Sequence, residues 1–159
     1  MALDKARAYL AQKGFADRII IPEQSSATVA EAAAALGCEP GMIAKTLSFL
    51  QEDRPVLILA EGLSRIDNQK YRARFGCKAK MIPPEQVEAL VGHAVGGVCP
   101  FGVNPGVEVW LDESLRRFET VFPAAGSSNS AIELTLPELE ALSCARGWVD
   151  VCKLPESNA

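Results

Sequence analysis

No uninterrupted apolar run approaches the roughly 20 residues of a membrane-spanning helix, which excludes a bilayer-spanning segment. The first residues, with Asp4 and Lys5 among alanines, lack the apolar stretch of a secretory signal, so the expected location is cytoplasmic. Histidine occurs once, at His93. The five cysteines, Cys38, Cys77, Cys99, Cys144 and Cys152, are odd in number, scattered and without a C-x-x-C pair. That excludes a disulfide framework and a structural zinc site; reduced thiols and no metal are expected. Paired catalytic carboxylates, a phosphate-loop lysine motif and a G-x-G-x-x-G turn after a strand are missing too, which removes support for nucleotide hydrolysis and dehydrogenase chemistry. No cofactor is expected. No repeat or linker divides the chain, so residues 1–153 are read as a single domain, with 154–159 as a flexible tail.

What is present is an ordinary globular composition. The 159 residues are 48% hydrophobic and 23% charged, enough for a real core. The net charge of −4 makes the whole protein a poor nucleic-acid magnet, yet Arg65, Lys70, Arg72, Arg74, Lys78 and Lys80 cluster against one acid, Asp67. That cluster is either a solvated helix face or a phosphate-binding one.

The patterning predicts a helix over 3–13 ended by Gly14 and a short buried strand at 19–21. A helix over 29–36 follows, N-capped from Ser25, Ser26 or Thr28. Residues 43–50 and 56–60 read as a hairpin joined by the polar stretch 51–55. Asp67 caps a helix through Tyr71 and Phe75, Pro83 and Pro84 start another, and 80–82 lies between them as a strand. Later strands are expected at 107–111, 120–124, 131–134 and 148–151, with short helices near 113–118 and 137–141. Strands do not alternate regularly with long helices. The expected fold class is therefore α+β, a mixed and largely antiparallel sheet flanked by helices.

The stretch Gly96-Gly97-Val98-Cys99-Pro100-Phe101-Gly102 has neither helical nor strand period. Its glycines admit close approach to the backbone and Pro100 fixes its own φ, so the segment can hold an oxyanion or a carbonyl on main-chain N–H groups. A tight connection between strands is the alternative. Lys45 shares a strand face with Ile43, Leu47 and Phe49, where it either snorkels at the sheet edge or faces an anion. His93 and Cys99 are a possible base and nucleophile whose geometry the sequence leaves open. Ser127, Ser128 and Asn129 form a polar loop suited to a hydrogen-bonding rim or to an ordinary turn.

Taken together, the Met42-Ile43-Ala44-Lys45-Thr46-Leu47 strand, the glycine–proline loop and Val121-Phe122-Pro123-Ala124-Ala125-Gly126 leading to Ile132-Glu133-Leu134 resemble the YbaK/prolyl-tRNA-synthetase-associated domain family. The order and spacing match from about Ser25 to Val151. The resemblance implies a barrel-like mixed sheet and hydrolysis, in trans, of mischarged aminoacyl-tRNA, chiefly mischarged tRNA-Pro carrying cysteine or alanine. It implies that Lys45 anchors the terminal adenosine and that Gly96, Gly97 and Pro100 form the G-x-x-x-P loop holding the aminoacyl group. Thr46, His93, Val98, Cys99, Phe101, Gly102, Ser127, Ser128 and Asn129 then flank the substrate. The attacking group is often the substrate's own in such proteins, so no protein nucleophile is required. The cluster from Arg65 to Lys80 would meet tRNA phosphates, and an aminoacyl-tRNA synthetase is a further possible partner. Where some members carry a serine and an aspartate, this chain has Ala124 and Ala131, which puts the edited amino acid, and turnover itself, in question. The rival readings are a non-catalytic aminoacyl-tRNA-binding module and a cysteine-dependent hydrolase using Cys99 and His93.

Overall fold

The computed structural model describes residues 2–21, 29–93, 98–126 and 130–153. Helix α1 (Ala2–Gln12) buries Ala6 and Leu10 and leads to strand β1 (Ile19–Ile20). Helix α2 (Val29–Leu36) precedes the hairpin of β2 (Ile43–Gln51) and β3 (Arg54–Glu61). Between these strands only Glu52 and Asp53 turn, at φ of 48° and 67°. Two successive left-handed residues match the twist of the flanking strands, so the ladder runs farther than the polar stretch 51–55 suggests. Strand β4 (Arg65–Ile66) leads to α3 (Asn68–Phe75), which the Asp67 carboxylate caps by accepting the N–H groups of Gln69 and Lys70 at 3.0 and 3.2 Å.

Helix α4 (Pro84–Val91) is followed by β5 (Glu108–Asp112), β6 (Thr120–Pro123), β7 (Ala131–Ile132) and β8 (Leu134–Thr135). Helix α5 (Leu136–Ser143), opened by a Thr135–Glu138 capping box, and strands β9 (Trp148–Val149) and β10 (Cys152–Lys153) complete the described elements. Among them, no helix is long and apolar enough to cross a membrane.

The main sheet has the order β8-β6-β2-β3-β5-β9. Its long β2–β3 ladder and the β6–β8 pair are antiparallel, whereas β2–β6, β3–β5 and β5–β9 are parallel, which makes the sheet thoroughly mixed. It curls as a half-barrel. The β2–β3 register divides the core cleanly, because side chains alternate across a strand. Ala44, Leu57 and Leu59 face one cluster with Val109, Leu111, Val121, Ile132, Cys99 and Phe101. Phe49, Val56, Ile58 and Ala60 face another with Tyr71, Val149, Val151 and Cys152, while α2 covers Ile43 and Phe122.

Three local expectations are corrected. Among the described residues, strand β1 pairs only with β7 and leaves Ile20 39% exposed, so it is not the buried strand its isoleucines suggest. Residues 80–82 form a single bridge, Met81 opposite Phe49, with Leu50 donating to the Lys80 carbonyl and Ile82 to that of Ser48. The stretch 131–134 breaks at Glu133 into two strands with different partners, since β7 follows β1 and β8 follows β6.

Candidate functional site

Lys45 lies on β2 opposite Ala60, on the face that carries Leu47 and Phe49, as the alternation of the sequence implies. Its half-buried ammonium donates to the carbonyl of Gly62, at 3.3 Å, and to that of Ser64. Burial lowers its pKa from the ordinary lysine value, opposed by the nearby Cys152 and Glu61 and reinforced by Arg65. An ammonium has three donors; two are spent on the 62–64 loop, leaving one for a ligand. Lys45 thus both closes a loop and keeps a desolvated positive charge at the sheet's end.

That end adjoins the neck of the polar loop. The parallel β2–β6 register sets Ala44 beside Pro123, so Lys45 comes next on β2 and Ala124 directly follows the end of β6. Ala124 bridges Ala131 across the neck, and Ala125 donates to the Ser130 carbonyl at 3.2 Å. The two alanines that depart from the resembled pattern therefore face each other. Ser127, Ser128 and Asn129 lie outside the described residues, as do Gly96 and Gly97. Thr46 points to the opposite face, with a buried hydroxyl that has no partner among the described residues.

The described part of the glycine–proline loop is a packed frame. Cys99 and Phe101 are fully buried, Pro100 is buried, and Val98 and Gly102 are half-buried. His93 is fully buried, its Nε2 lying 2.6 Å from the Phe101 carbonyl and 3.6 Å from Cys99 Sγ. A carbonyl only accepts, so Nε2 carries the proton and cannot take one from the thiol. Burial pushes the Cys99 thiol up to about 12 and lowers the His93 pKa. A neutral, enclosed thiol beside a donating imidazole is no nucleophile–base pair, which removes the cysteine-hydrolase reading. His93, Cys99 and Phe101 pack against one another in the frame of the loop. Their cluster occupies the face of the β2–β3 ladder opposite to Lys45.

Arg65, Lys70, Arg72, Arg74, Lys78 and Lys80 are all exposed; Arg72 and Lys78 line one hollow, whereas Lys80 lies beside Leu50 at the hairpin end of β2 and Arg65 follows the loop at the other end of β3. Pairing of β4 with β10 adds Lys153 directly opposite Arg65. Two like charges facing each other across a ladder oppose pairing, and an anion relieves them. The sequence gives no sign of Lys153, because β10 is two residues long and its partner is set by the fold.

Sequence reasoning also misses what holds the Lys45 loop. Glu61 is fully buried at the end of β3; its carboxylate accepts from the Leu63 N–H and from Arg117 Nη1 at 2.5 Å. Its own N–H donates to Ser114 Oγ at 3.2 Å. Gly62 is packed so closely that a Cβ there would lie 2.2 Å from the Pro40 carbonyl oxygen. A carboxylate straight after the apolar run from Val56 to Ala60, followed by glycine, is the signal that marks this corner. Among the described residues, no group of three histidine, cysteine or acidic side chains is placed to hold a metal ion.

The model of the family described as "Aminoacyl-tRNA editing domain" matches residues 23–142. "Uncharacterized protein YwhH" of Bacillus subtilis is 49% identical over 154 residues, covering 96% of this chain and 98% of that protein. "Putative Cys-tRNA(Pro)/Cys-tRNA(Cys) deacylase EbsC" of Enterococcus faecalis is 30% identical over 112 residues, 69% of this chain and 66% of that one. A solved structure titled "Crystal structure of a putative trans-editing enzyme for prolyl tRNA synthetase" superposes with a TM-score of 0.86 at 33% identity, over 96% of this chain and 97% of that one. Fold, motif order and sequence agree: the chain belongs to the aminoacyl-tRNA editing domain family.

Proposed function

We propose that this protein is a freestanding deacylase that hydrolyses the ester of a mischarged aminoacyl-tRNA in the cytoplasm, acting on tRNA-Pro carrying cysteine or alanine. The observation that carries the reading is Lys45: a half-buried ammonium on the strand that neighbours the polar-loop neck, held by the Gly62 and Ser64 carbonyls with one donor to spare. In a low-dielectric setting such a fixed charge holds a phosphate of the terminal adenosine far better than an exposed lysine does.

The main-chain N–H groups of Gly96 and Gly97 are assigned to the ester carbonyl as negative charge develops on it, each such donor being worth roughly 3 kcal/mol. Because Cys99 and Phe101 pack on the ladder face opposite to Lys45, this assignment requires the aminoacyl end to pass around the end of the sheet between the two. Pro100, with Cys99 and Phe101 buried on either side, fixes where the loop leaves the core. Water adds to the ester carbon, and the bond to the ribose oxygen breaks with a proton returned to that oxygen. No protein nucleophile enters, in keeping with the neutral Cys99 thiol. Ser127, Ser128 and Asn129 rim the aminoacyl group, and the cationic face contacts the acceptor end. Residues 1–153 serve as one editing unit, delivered by tRNA itself or by a synthetase.

The apolar Ala124–Ala131 neck favours one other reading, a module that binds aminoacyl-tRNA and does not turn it over. Single-turnover assays on a panel of mischarged tRNAs decide between them. A deacylase releases the amino acid from Cys- or Ala-tRNA-Pro faster than buffer does, whereas a pure binder protects the ester.

A further inference from the structure

The basic residues of α3 and the segment after it do not have equal freedom. Lys70 Nζ donates to Asp150 Oδ1 at 3.0 Å and to the Cys152 carbonyl at 3.1 Å, tying α3 to the end of the sheet. The Arg74 guanidinium lies over the rings of Phe75 and Trp110, 5.2 and 4.9 Å from their centroids. Arg72 and Lys78, by contrast, have no carboxylate partner among the described residues.

These two cations line one hollow of about 390 Å³ together with Asn68, Gln69 and Ala79. That volume is at the lower end of the roughly 300–1,000 Å³ of ligand pockets. Residues 68, 69 and 72 share a face of α3 by their spacing of three and four, and the chain turning at Gly76 brings Lys78 to the opposite wall. The helix amides are not the attraction, because the Asp67 carboxylate already takes those of Gln69 and Lys70. Among the described residues, the lining contains no acidic residue, no aromatic ring for stacking a base, and no large apolar side chain. A planar guanidinium fork, a point-charge ammonium and two carboxamides instead match the oxygens of a phosphodiester and its adjoining ribose.

We propose that the hollow between α3 and residues 78–79 is a phosphodiester subsite for an RNA backbone, with Arg72 and Lys78 neutralising one phosphate and Asn68 and Gln69 donating to its neighbours. This subsite rests on the tRNA reading above and narrows it: Lys70 and Arg74 hold the helix, while Arg72 and Lys78 hold the RNA.

The test is binding of an uncharged tRNA acceptor minihelix across a salt series to three proteins: wild type, Arg72→Gln/Lys78→Gln, and Arg7→Gln/Lys13→Gln. The last removes the same charge from α1 and the turn that follows it. For the hollow variant the expected result is a Kd raised about tenfold at low salt and a slope of log K against log salt reduced by about 1, with the α1 variant keeping the wild-type slope. Equal losses in both variants would reduce the effect to net charge and overturn the subsite. Retained minihelix affinity in the hollow variant, with loss only of inorganic phosphate or adenosine monophosphate, would make it a small-anion site and also overturn the proposal. No wild-type affinity for any RNA would sink the tRNA reading itself, an outcome distinct from the other two. All substituted side chains are exposed, and thermal unfolding checks that each variant is folded.

Discussion

Replacing Arg117 by Met should destabilise the protein through the Lys45 loop rather than through the surface where Arg117 is visible. Arg117 is 49% exposed at its side chain, but the Glu61 carboxylate it meets at 2.5 Å is fully buried. An exposed ion pair is worth at most about 1 kcal/mol, whereas stripping the partner from a fully buried one costs about 3–5 kcal/mol. With one partner enclosed and one half in water, and with the Leu63 N–H still donated to Glu61, the expected cost is about 2 kcal/mol. For a chain of this length that lowers Tm by about 4–8 °C. Glu61→Gln keeps the size and an acceptor for Leu63 while removing the stranded charge, so the double variant Glu61→Gln/Arg117→Met should recover part of the loss. Denaturant unfolding of the four proteins of that cycle measures the coupling. An Arg117→Met protein within 0.5 kcal/mol of wild type by this assay, or a double variant worse than the sum of the singles, would refute the reasoning.

Other consequences follow from the same frame. Because burial holds the His93 pKa below its ordinary 6.5, the unfolded chain binds the proton first as pH falls. Stability contributed by the neutral folded histidine is complete above that value and declines below it, by at most about 1.4 kcal/mol per pH unit, and His93→Gln should flatten that slope in unfolding experiments at pH 5 to 7. Gly62→Ala forces a methyl group against the Pro40 carbonyl and the Val29 side chain, which should cost about 1–3 kcal/mol in denaturant titrations and weaken RNA binding through displacement of the Lys45 loop. Iodoacetamide should label exposed Cys144 in the native protein, leave Cys99 unmodified by mass spectrometry, and leave deacylation intact.

The parts of the fold legible in the sequence are those fixed by local chemistry. Residues 29–36 form the helix that their alanine-rich pattern predicts, Asp67 caps α3, and the β2–β3 hairpin keeps Lys45 on the face of Leu47 and Phe49. What the sequence conceals depends on partners distant in the chain. Strands β4 and β10 have two residues each and exist only because they meet, so Lys153 facing Arg65 has no local signature. Glu61 reads as the polar end of a strand, and only its burial against Arg117 reveals a carboxylate that organises the Lys45 loop. Cys99 and His93 are close, as a catalytic pair requires, but full burial and the Phe101 carbonyl turn them into core. Burial, unlike spacing, is not written in a six-residue interval.

The central claim is that the half-buried ammonium of Lys45 anchors the terminal adenosine of an aminoacyl-tRNA while its ester is hydrolysed. Its most direct test is the single-turnover deacylation of Cys- and Ala-tRNA-Pro by wild-type protein and by a folded Lys45→Ala variant. Loss of one fixed, desolvated charge should slow release of the amino acid by about a hundredfold or more. A folded Lys45→Ala protein that clears the same tRNAs at the wild-type rate would contradict the account.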